Sequence, residues 1–217
     1  MLEQKTQRPT QMKMKMMTRN LTAVLVSAAV LAAILLSATA LTAGSGSNKA
    51  VAADNKTGDA ATFTALVPVL RHPRCINCHS AGDYPRQGDG GHPHAMNVRR
   101  GVGGMGVTAE KCSTCHQDHN LAGAHLPPGA PGWRLPSAAT PMVWRDRTDK
   151  QVCEELKDPK QNGGRSLQKI VEHMTEDKLV LWGWNPGDGR SPVPMPQAEF
   201  ASKVKAWAAA GAPCPAR

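Results

Sequence analysis

The chain has 217 residues, with 26 Lys and Arg against 17 Asp and Glu, a formal net charge of +9, and only 4% aromatic residues. Six of the basic residues and one acid lie in residues 1–53, so the rest is close to balanced, and its cations are interspersed with acids; this excludes the basic face that nucleic-acid binding requires. So little aromatic surface also leaves a domain of this size with a thin core unless something else supplies apolar area.

Lys5, Arg8, Lys13, Lys15 and Arg19 precede an uncharged apolar run from Leu21 to Leu36, followed by small residues up to Ala43. That order predicts an export signal or an uncleaved N-terminal membrane anchor over 1–43. Cleavage sites of small residues follow Ala40 and Ala53, and Met12, Met14, Met16 and Met17 are alternative starts. With no cysteine before Cys75, a lipid-modified cysteine is not expected. Residues 44–60 read as a flexible linker and 61–217 as one domain, expected in the oxidising periplasm.

Phe63, Leu66, Val67 and Leu70 follow the i, i+3, i+4, i+7 spacing of a helix, which Pro68 shortens or kinks. The chain then reaches Cys75-Ile-Asn-Cys78-His79, and the same pentapeptide pattern returns as Cys112-Ser-Thr-Cys115-His116. C-x-x-C-H is the attachment signature of c-type haem. On a helical turn two thiols three residues apart share one face, and the following His is placed to ligate the iron. Two copies behind an export signal predict two covalently attached haem c groups, on Cys75, Cys78 and His79 and on Cys112, Cys115 and His116. The rival is a zinc cage built from both cysteine pairs. A thioredoxin-like motif lacks its βαβ surroundings.

Between the motifs, residues 80–110 read as a glycine-rich loop. Gly101, Gly103 and Gly106 match G-x-G-x-x-G, which carries no weight without a flanking strand and helix. Too few residues separate the motifs for a cytochrome domain each, so both haems are expected in one mixed domain. Residues 120–150 form a Pro-rich loop. Helices are predicted over 151–157 and over 165–176, the latter with Leu167, Ile170, Val171 and Met174 as its apolar stripe. In the last helix Pro196 suits the first turn, Phe200, Val204, Trp207 and Ala208 face inward, and Gly211 stops it. The fold expected is mainly α and loop-rich, with short helices and few or no strands. The remaining cysteines, Cys153 and Cys214, are an even pair in an exported chain and predict a disulfide.

Each iron has a second axial position, and its occupant separates carriers from catalysts. The candidate distal ligands are His94, His173 and Met195. His173 sits at the edge of its helix's apolar stripe. His94 lies in the loop between the motifs. Met195 precedes an amphipathic helix, as the distal Met of single-haem cytochromes c does. His92 competes with His94 but is followed by Pro. His72 and His119 lie too close in sequence to Cys75 and His116 to reach the far face of the same haem. His125 is a further possibility.

The segments His72–His79, Cys112–Gln117, Pro128–Trp133, Leu156–Pro159, Asn162–Arg165, Trp182–Gly187 and Gly211–Pro215 resemble a family of small exported dihaem c-type cytochromes, some labelled as a subunit of isoquinoline 1-oxidoreductase. The resemblance spans most of residues 70–215. It implies a redox partner protein, a molybdenum hydroxylase or aldehyde dehydrogenase that hands electrons to the cytochrome. The chain itself carries no molybdopterin or flavin motif. An electron carrier is therefore expected, with no catalytic residue of its own. The alternatives are a dihaem peroxidase-like enzyme with one open iron, which would need a distal acid–base group, and a haem-based sensor.

Overall fold

The computed structural model describes residues 59–217. The expected signal or anchor over 1–43 and nearly all of the linker lie outside the described residues. Among those residues, no helix is long and apolar enough to cross a membrane.

The described chain is loop-rich, with seven short α-helices and two hairpins of two-residue strands. The stretch read as a helix that Pro68 shortens or kinks is two short turns, α1 (Ala61–Thr64) and α2 (Val67–Leu70). Pro68 has no N–H to donate to Thr64, so the helix cannot run through. Phe63 and Leu66 are nevertheless fully buried, as the spacing required. The third turn, α3 (Pro73–Ile76), is capped by His72, whose Nδ1 accepts the Arg74 N–H at 3.3 Å.

In the glycine-rich segment β1 (Arg86–Gln87) pairs antiparallel with β2 (His92–Pro93), and β3 (Gly106–Val107) with β4 (Glu110–Lys111). Strands of two residues show no alternation, which is why the sequence predicts only loop here. One glycine position matters for the site: Gly104, at φ +77°, lets the chain press on Leu135, where a Cβ would strike the carbonyl oxygen.

The larger helices are α4 (Asp149–Lys157), α5 (Leu167–Glu176), the single turn α6 (Lys178–Leu181) and α7 (Gln197–Ala209). Each of the first three starts on a side-chain cap. Thr148 and Gln151 form a reciprocal capping box, Ser166 accepts from Lys169, and Asp177 accepts from Leu179. α5 packs against α4, α6 and α7, and α7 packs against α1. Ile170, Met174, Phe200, Val204 and Trp207 meet in the core with Phe63 and Leu66. Cys153 of α4 is bonded to Cys214, Cα to Cα 5.6 Å, and closes the C-terminal tail onto this core.

Candidate haem sites

Both pentapeptides fold into the same backbone turn. The Cys75 carbonyl accepts from Cys78 N at 3.1 Å and from His79 N at 3.0 Å. The Cys112 carbonyl accepts from Cys115 N at 3.2 Å and from His116 N at 3.0 Å. A turn of this kind carries the two cysteines toward one side and the histidine just beyond them.

The surroundings of the two histidines repeat as well. His79 Nδ1 lies 3.0 Å from the Met142 carbonyl, and His116 Nδ1 lies 2.7 Å from the Pro128 carbonyl. A carbonyl can only accept, so in both rings Nδ1 carries the proton and Nε2 keeps its lone pair. A metal-ligating histidine needs that tautomer. Each ring is also stacked on a tryptophan: His79 on Trp144, with centres 3.6 Å apart and planes at 3°, and His116 on Trp133, at 4.3 Å and 5°.

These partners come from the Pro-rich loop. The Met142 backbone is left-handed, φ 47°, and turns its carbonyl onto His79. Trp144 N donates to the His79 carbonyl at 3.0 Å, so the loop grips the histidine from both its backbone and its ring. Arg100 is buried and donates to the carbonyls of Ser80, Gly82 and Pro136, which fixes the chain just after His79. None of these residues carries a motif. The one sequence signal was large aromatics, Trp133 and Trp144, standing in a loop that should otherwise have no use for them.

Cys75, Cys78 and His79 open into a cavity of about 330 Å³. Its wall includes Leu70, Leu135, Met142, Trp144, Met174 and Trp184, with His173 and three arginines, Arg74, Arg134 and Arg165. Its volume falls in the range of ligand sites, about 300–1,000 Å³. The guanidinium of Arg74 is paired with Asp89, yet its Nε is buried without a partner, an unused donor beside Cys75. Burial pushes the thiols of Cys75 and Cys78 up to about 12 and about 11, and the His79 imidazolium down to about 3. His79 is thus a neutral imidazole throughout the physiological range.

His173 lines the same cavity as His79. His173 Nδ1 donates to Asp177 Oδ2 at 2.9 Å, so its Nε2 also keeps a lone pair. At the second motif, His94 and His116 face each other edge to face with ring centres 6.1 Å apart. His94 Nδ1 donates to the Ala95 carbonyl at 2.7 Å, again leaving Nε2 free.

The other candidates are placed elsewhere. Met195 does not line the cavity; its side chain packs on the core and its carbonyl accepts from Trp184 Nε1 at 2.6 Å. His72 is a helix cap, and the amide of Gln87 occupies Nε2 of His92 at 3.2 Å. His119 and His125 are exposed. The second motif lies at the surface, with Cys115 exposed and the apolar side chains of Met96, Val102 and Met105 in solvent nearby in the chain.

Among the described residues no three His, Cys, Asp or Glu side chains converge as a metal-binding cluster, so the two cysteine pairs do not form the shared cage that zinc would need. Each motif instead has its own Cys–Cys–His turn and a second histidine nearby, His173 on the first cavity and His94 beside His116. Comparison with protein-family models, with curated proteins and with solved structures finds no match for this chain.

Proposed function

We propose that this chain is an exported dihaem c-type cytochrome that carries electrons, with both haems in one mainly α, loop-rich domain. The observation that carries the reading is the duplicated arrangement of His79 and His116: the same C-x-x-C-H turn, the same Nδ1–H to carbonyl bond and the same tryptophan stack. When bound, each haem would supply a one-electron iron couple. The chain's own residues do the rest. Cys75 and Cys78, and Cys112 and Cys115, hold the group covalently, and His79 and His116 are its proximal ligands.

His173 and His94 are the distal ligands of this reading, in preference to Met195, whose side chain is used in the core. Ligands on both faces leave no vacancy for substrate, which favours a carrier over a peroxidase-like enzyme. Arg74, Arg134 and Arg165 suit the carboxylates that a haem brings into the first site. The exposed Met96, Val102 and Met105 supply apolar surface beside the second. The partner is a redox protein, and the family resemblance favours a molybdenum-containing oxidoreductase as the donor. Export to the periplasm rests on the N-terminal segment.

Mass spectrometry of protein purified from a periplasmic fraction tests this. The expected mass is the polypeptide plus two haems, retained through acid–acetone extraction because thioethers are not extractable. The reduced protein should bind no carbon monoxide. A bare polypeptide mass overturns the reading, and stoichiometric carbon monoxide binding at one haem turns it toward the peroxidase-like alternative.

A further inference from the structure

Trp133 belongs to both sites. One face of its indole lies parallel to the His116 ring, 4.3 Å away. The same residue lines the cavity that holds Cys75, Cys78, His79 and His173. Trp144, the other tryptophan stacked on a proximal histidine, has both contacts within the first site. Trp133 is held from two directions. Trp182 meets it edge-on at 4.9 Å and 81°, itself fixed by an Nε1–H bond to Asn120 Oδ1 at 3.1 Å. The next residue, Arg134, pairs with Asp177 at 3.2 Å, and Asp177 is the carboxylate that accepts from His173. The indole is thus tied at one end to the second site's proximal ligand and, through its neighbour, to the first site's distal one.

We propose that Trp133 is the electronic bridge between the two haem sites, an inference that rests on the dihaem reading above. One-electron exchange between the sites runs through the stacked pair His116–Trp133 into the first cavity. With both haems bound, the exchange would pass one electron from a reduced site to an oxidised one. No bond forms or breaks, no proton moves, and the indole is not itself oxidised. Its filled π system is in contact with the His116 imidazole on one side and lines the first cavity on the other. The parallel stack gives the largest π overlap that two rings can have at this distance, which an edge contact would not.

The test uses the full chain with both haems attached, in three forms: parent, Trp133→Leu and Trp133→Phe. Trp133 is half-buried, so neither change should prevent folding. A reducing pulse that loads a small fraction of the protein is followed optically while the electron equilibrates between the sites. Midpoint potentials and low-spin EPR signals are recorded on the same samples. Trp133→Leu should slow equilibration at least tenfold, beyond what the potentials measured on the same sample account for and with both haems still low-spin, and Trp133→Phe should restore most of the rate. An unchanged rate in the leucine variant overturns the bridge. So does a slowing that comes with a high-spin signal at the His116 site, which would make Trp133 only a positioning residue. Absence of covalent haem from the parent overturns both readings, whereas intact haems with an unchanged rate overturn this one alone.

Discussion

The imidazole of His79 lies flat against the indole of Trp144, 3.6 Å between ring centres and 3° between planes. The contact is reinforced by the backbone, because Trp144 N donates to the His79 carbonyl and Met142, two residues earlier, accepts from the ring. The histidine therefore has one orientation and one tautomer before any ligand arrives. Trp144 is 5% exposed and part of the core. Trp144→Ala should lower stability by about 3–5 kcal/mol, the usual loss for truncating a buried aromatic. Denaturant unfolding measures this, and a loss below about 1 kcal/mol would show that the stack contributes little packing.

The disulfide predicts a different signature. Cys153 and Cys214 are 61 residues apart. Closing a loop of that size should stabilise the fold by roughly 4 kcal/mol in the chain-entropy model. Cys153→Ser with Cys214→Ser should lower the unfolding midpoint accordingly while leaving the visible absorption spectrum as it was, since neither residue lines the first cavity. A spectral change as large as the stability change would mean that the tail positions a ligand.

Glu155 provides the pH dependence. Burial raises its carboxyl pKa above the ordinary value, against opposing effects from Arg147, the Val143 backbone and Trp144. Trp144 Nε1 and Glu155 Oε2 are both buried without a hydrogen-bond partner. The folded state therefore binds this proton more tightly than the unfolded state does. That contribution is fully present below the unfolded carboxyl pKa and is lost as pH rises through the folded one. Glu155→Gln should be more stable than the parent at pH 7, with the gain shrinking toward about pH 4. Equal gains at both pH values would show that burial of the charge is not the cause.

What could be read from sequence follows the physics of each feature. The two C-x-x-C-H turns were legible because their spacing along the chain is itself the signal, and each folds as one hydrogen-bonded turn. α5 and α7 were legible because Ile170 and Met174, and Phe200, Val204 and Trp207, repeat at helical period. The carbonyls of Met142 and Pro128 were not, because a backbone acceptor has no side-chain signature and they lie 63 and 12 residues from the histidines they hold. His72, set aside in sequence as too close to Cys75, sits just before Pro73, and its ring nitrogen is used to cap α3, a role that no spacing announces. Between the turns of α1 and α2, a single missing N–H at Pro68 undid an apolar pattern that was otherwise correct.

The distal ligands give the most specific expectation. His173 and His94 each donate Nδ1–H to an oxygen, leaving Nε2 free; His173 lines the first cavity with His79, and His94 lies 6.1 Å from His116 between ring centres. His173→Ala should turn only the first haem high-spin and open it to carbon monoxide, and His94→Ala should do the same only at the second. His125→Ala should do neither, since His125 is exposed. Asp177→Asn supplies a finer test. It replaces the carboxylate that orients His173, so the first haem should stay six-coordinate while its potential rises, because a less basic imidazole stabilises ferric iron less. Near-infrared absorption of a methionine-ligated haem in the parent would reject this assignment for that site and return Met195 to it. Carbon monoxide binding at both haems of the parent would reject it for both.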